Sequence, residues 1–143
     1  MRIRLRYTKL GKLRWTSHRD TARIWERTLR KAGVPVAYSA GFSPRPKISF
    51  GLALPTGAES LAEYLDFDLP EDLSPSDLAS LPGRLGVELP EGMGVGAAVR
   101  VGAGEPSLQH DVVACCWEID LDSELAGEPP ASGGPPAGPL ALA

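Results

Sequence analysis

Cysteine is nearly missing from this chain: Cys115 and Cys116 are the only two, and they are neighbours. Adjacent cysteines suit neither an ordinary disulfide nor the spaced pairs of metal and redox sites, so they read as buried strand residues. Histidine is as scarce, with only His18 and His110, and no ligand spacing for a metal emerges from the four positions. No phosphate-binding glycine motif, dinucleotide fingerprint or GxSxG elbow occurs, so motif logic assigns no reaction class. Long apolar runs are absent too; nothing approaches the roughly eighteen residues of a membrane span. The first residues, with Arg2, Arg4 and Arg6, lead into no apolar signal core. The expectation is an unexported, cytoplasmic protein.

Acidic residues are missing from one half only. The net charge of -3 hides 13 of the 15 Lys and Arg within residues 1–50, opposed there by Asp20 and Glu26 alone. The rest of the chain carries Arg84 and Arg100 against 16 acids. Such asymmetry points to an anionic partner for the basic half, RNA or a phosphorylated ligand being the usual candidates. The alternative is a solvated basic face that pairs with the acidic half of the same fold.

What is present suffices for one domain, with 43% apolar residues in 143. Residues 2–8 alternate strictly, Ile3, Leu5 and Tyr7 on one face and three arginines on the other, as in a half-buried strand with a basic outer face. Ser17 is a good N-cap, with Asp20 completing a near capping box. From there Thr21, Ala22, Trp25, Thr28, Leu29 and Ala32 form one stripe of a helix that Gly33 ends. Strands are expected over 34–38, 48–54 and 62–69, and a second helix begins at Ser74-Pro75. Pro82-Gly83 is expected to stop that helix after about two turns. A weak strand over 95–101 and a stronger one over 112–121 follow.

The order βαββαβ predicts a ferredoxin-like α+β fold with one additional strand. The domain is expected to end at 122. Residues 123–143, rich in Pro, Gly and Ala, lack the apolar side chains to offset their ordering entropy and read as a disordered C-terminal tail.

Two stretches stand out as candidate sites. The loop from Gly41 to Gly57 holds Phe42, Ser43, Arg45 and Lys47 between prolines and glycines. A stiff loop offering cations, a hydroxyl and an aromatic suits a phosphate backbone with a base stacked beside it. Together with Arg4, Arg6 and His18 these residues form the expected substrate-binding set. His18, at a helix start, is a candidate neutral base or donor, although Asp20 two residues on points away from it. His110, beside Asp111 in a polar loop, is a weaker candidate.

The string Thr16-Ser-His-Arg-Asp20, followed by the stretch from Gly33 to Ser60, resembles the radical-SAM-linked protein family. That family is a domain of unknown function encoded beside, or fused to, radical S-adenosylmethionine proteins. The resemblance runs from residue 1 to about 121 and rests on His18, Asp20, Gly41 to Lys47, Phe50, Gly51, Pro55, Gly57, Glu59 and Ser60. It implies a radical S-adenosylmethionine protein as partner. The CxxxCxxC triplet for a [4Fe-4S] cluster is absent here, so the cluster and S-adenosylmethionine are expected on the partner chain and no cofactor on this one.

The leading expectation is therefore an accessory, non-catalytic partner domain that binds RNA or another anionic substrate through its basic half. One alternative is a stand-alone RNA-processing enzyme with His18 as general base and Arg45 or Lys47 stabilising the developing charge. Another is a protein-binding adaptor that docks an acidic partner surface.

Overall fold

A computed structural model describes residues 1–120. Met1–Val113 form one compact unit; of a second, Ala114–Ala143, only the first seven residues are described. The expected tail, 123–143, lies outside the described residues.

The alternating segment forms β1, Arg2–Lys9. A 3-10 turn over Gly11–Trp15 leads to α1, His18–Lys31, whose N-cap Ser17 accepts a hydrogen bond from the Asp20 amide. Gly33 ends α1 at φ 68°, the left-handed conformation that only glycine adopts without strain. Then come β2 (Ile48–Phe50), β3 (Ser60–Asp68), α2 (Pro75–Glu88), β4 (Met93–Val101) and α3 (Leu108–Asp111). The strands form one antiparallel sheet in the order β2-β3-β1-β4. With its two main helices this is the ferredoxin-like α+β arrangement.

The inner face is where period 2 and period 3.6 meet. Ile3, Leu5 and Tyr7 of β1 and Leu65 and Phe67 of β3 join Trp25 and Leu29 of α1 and Leu81 and Leu85 of α2 in one buried cluster. No described helix is long and apolar enough to cross a membrane.

Four expectations need correction. The second helix does not stop at Pro82; it runs on to Glu88 with the proline inside it. An interior proline costs about 3 kcal/mol, but Leu81 and Leu85 are fully buried and stabilise by about 1.5–3 kcal/mol each. Residues 34–38 are not a strand: Pro35 removes one donor, and the segment makes only an isolated bridge, Tyr38 to Pro46, and scattered backbone bonds through Ala37. The strand expected over 48–54 is limited to Ile48–Phe50.

The additional strand over 112–121 is also absent among the described residues. Val112–Asp120 have no regular secondary structure, and Val113, Cys115, Cys116, Trp117 and Ile119 are exposed. Alternation reports that a segment fits a pleated surface; it does not supply the neighbouring strand. In its place, α3 crosses the outer face of the sheet. Leu108 is buried there, and the Gln109 amide donates to the Phe50 carbonyl at 3.2 Å.

Candidate nucleic-acid interface

The stiff loop is a closed excursion. At its base Tyr38 bridges Pro46, the Lys47 amide donates to the Ala37 carbonyl at 2.8 Å, and the Ser39 amide donates to the Arg45 carbonyl at 2.9 Å. The Arg45 amide returns a bond to the Ser39 hydroxyl at 3.0 Å. Three hydrogen bonds, two of which make up the Tyr38–Pro46 bridge, thus hold a short tip from which Phe42 projects, 110% exposed relative to an extended reference. Ser43, Arg45 and Lys47 are exposed around it. Neither cation has an ion-pair partner among the described residues, unlike Arg14, Arg23 and Lys31, which meet Glu59, Asp20 and Glu88.

The two candidate motifs come together in space. His18, exposed at the start of α1, meets the edge of Phe50 with ring centroids 5.1 Å apart. It has no hydrogen-bonded carboxylate among the described residues: Asp20 instead accepts from the Ser17 hydroxyl and from Arg23. Further along, the Gly57 amide donates to the Arg14 carbonyl at 2.7 Å, and Glu59 accepts from the Gly11 amide at 2.8 Å. Gly57 has φ 94°, a conformation that favours glycine, and a Cβ there would press on the Trp15 ring at 3.0 Å.

The strand arginines divide. Arg6 is exposed, with its guanidinium lying along Gly96 of β4. Arg4 is not on the open basic face that alternation implies. Its Nε and Nη2 bond both oxygens of Asp66 at 2.8 and 3.0 Å, and its Nη1 bonds Asp111 of α3. Only 11% of the side chain is exposed. The Asp66 hydrogen bonds hold the guanidinium pKa above its usual range. Asp66 and Asp111 belong to the acidic half, so at this position the two halves neutralise each other within the fold. His110 engages the Ser107 hydroxyl through Nδ1 at 2.7 Å.

Several residues go beyond the sequence reading. Trp15 is 63% exposed, with the Arg14 guanidinium 5.2 Å from the ring centroid, and Tyr38 is 58% exposed beside the loop. Lys9 is only 3% exposed. Its ammonium donates to the Thr16 carbonyl at 2.9 Å and lines a small cleft with Tyr7, His18, Phe50 and Glu63. Burial lowers its pKa, with the Glu63 charge acting in the opposite sense. The signal was available: extending the alternation of residues 3, 5 and 7 by one step places Lys9 on the inner face. Among the described residues no three His, Cys, Asp or Glu side chains cluster as a metal site requires.

The fold and these residues define a ferredoxin-like α+β domain with a cationic, aromatic-tipped loop at the β2 edge of its sheet. A family model described as an uncharacterized protein conserved in bacteria (DUF2344) matches residues 2–132, and the chain belongs to that family. The match runs past residue 122, where the sequence pattern suggested a domain end. No curated protein matches the chain.

Proposed function

We propose that this protein is an accessory, non-catalytic partner domain of a radical S-adenosylmethionine enzyme in the cytoplasm, and that it binds RNA or another anionic substrate through its basic half. The partnership rests on the sequence resemblance of residues 16–20 and 33–60 described above. The substrate class rests on one observation: the closed loop presents Phe42, Arg45 and Lys47 to solvent with no described carboxylate on either cation. Cations held beside an exposed aromatic match a phosphate backbone with stackable bases. Among the described residues no carboxylate orients His18, which favours a binding role over general-base catalysis.

The test is RNA affinity at several salt concentrations for the wild type and for Arg45→Ala/Lys47→Ala. Each lost phosphate contact should remove about 0.7 from the log-log salt slope on a single strand, so the double variant should lose about 1.4. Unchanged affinity and slope would remove the loop from the interface. RNA cleavage by the wild type that disappears in His18→Ala would establish the enzyme reading instead. Capture of the radical enzyme that is independent of both RNA and salt, with no RNA binding, would establish the adaptor.

A further inference from the structure

A groove of about 280 Å³ runs between the end of α1, the segment after it and the base of the loop. Its floor is apolar, formed by Leu29, Val34, Pro46 and Ile48. Tyr38 forms one wall, with much of its ring open to solvent and its hydroxyl without a hydrogen bond among the described residues. On the rim, Arg30 and Glu26 are exposed one helical turn apart, and neither has an ion-pair partner among the described residues. Pro46 ties groove to loop, because it lines the groove while its neighbours Arg45 and Lys47 are exposed.

We propose that this groove is a nucleotide subsite for single-stranded RNA, a deepening that rests on the RNA-binding reading above. The base lies against the Tyr38 ring over the apolar floor, and the phosphate on its flank meets Arg30. The Glu26 carboxylate accepts from a base N–H and repels a phosphate placed beside it, which fixes the polarity of the nucleotide. The backbone then continues to Arg45 and Lys47. An apolar floor, an aromatic wall and an unpaired rim cation, with two more cations on the adjoining loop, are the combination that single-strand recognition uses, stacking supplying affinity and cations the track. The volume sits at the lower edge of the roughly 300–1,000 Å³ typical of small-ligand sites, which suits one base rather than a helix or a larger cofactor.

The experiment titrates the full chain with a labelled single-stranded RNA oligonucleotide at several salt concentrations, comparing Tyr38→Ala, Tyr38→Phe and Arg30→Ala. Tyr38→Ala should weaken binding by about 5- to 150-fold, the range for one stacked base, and leave the salt slope unchanged. Tyr38→Phe should bind within about twofold of wild type, since the π face and not the hydroxyl carries the contact. Arg30→Ala should lower the slope by about 0.7. Wild-type affinity in Tyr38→Ala, with binding still sensitive to Arg45→Ala/Lys47→Ala, would overturn the groove and keep the loop. An equal loss in Tyr38→Phe would overturn the stacked base. No RNA binding by the wild type overturns both readings. Thermal melts of all three variants should match the wild type, because none of these side chains is buried.

Discussion

Trp25 of α1 stands edge-on to Tyr7 of β1, ring centroids 4.9 Å apart and planes at 69°, with its indole Nε1 buried and without a hydrogen-bond partner among the described residues. The ring therefore contributes apolar area and edge-to-face attraction while its N–H is a cost of about 1–3 kcal/mol. Trp25→Ala should destabilise by roughly 3–5 kcal/mol in urea denaturation. Trp25→Phe removes the orphan donor together with some volume, and should cost less than half as much. A loss in Trp25→Phe of more than half that in Trp25→Ala would show that the unpaired N–H carries little penalty.

Lys9 gives stability a specific pH dependence. Burial holds its pKa below the 10.5 of a free lysine, so between the two values the unfolded chain binds more protons and stability rises with pH. Tyr7 acts in the opposite sense: its phenol is raised above 10.0 by burial, and that contribution is lost only as pH climbs past 10.0. The clean window is therefore the alkaline range below 10.0, where the Lys9 ammonium titrates and the Tyr7 phenol does not yet act. Across it the melting temperature of the wild type should rise relative to Lys9→Met, which lacks the titrating group at position 9. Parallel curves would mean that the ammonium is as well solvated in the folded state as in the unfolded one.

Arg4→Ala should cost far more than the loss of an exposed arginine from the same strand. It leaves the buried Asp66 carboxylate without its bidentate partner, a loss of about 3–5 kcal/mol. Arg4→Met combined with Asp66→Leu should recover most of that, because replacing both members of a buried pair avoids the stranded charge. Arg6→Ala, on the same strand but exposed, should change stability by less than about 0.5 kcal/mol. Guanidinium denaturation of the four proteins reads all of this directly.

How legible the molecule was depends on whether a feature is local. The N-cap at Ser17, the stripe through Trp25 and Leu29 and the stop at Gly33 need only neighbours three or four residues away, and all stand where the spacing puts them. Pro82 failed as a stop signal because the deciding term, burial of Leu81 and Leu85, belongs to tertiary packing. The segment at 112–121 failed for the converse reason: its alternation is local, while a strand needs an edge from elsewhere. In the candidate site, the loop's cations, Ser43 and Phe42 were readable from composition. Arg4 was not, because its partners are 62 and 107 positions away. Tyr38 was missed as well, since a single tyrosine shows its exposure only once the loop has closed at Pro46.

The closure of that loop also has a kinetic meaning. Ordering a flexible segment at the moment of contact slows association and draws on the free energy of binding, whereas this tip is already fixed by Pro44, Pro46 and the bonds between residues 37–39 and 45–47. On the proposed reading, a polyanion would meet Arg45, Lys47 and the exposed Phe42 on a backbone that is already in place. Capture would then proceed at the pace of charge-steered diffusion, fast in dilute salt and falling steeply as counterions screen the field, with residence time left to whatever the aromatic side chains can hold.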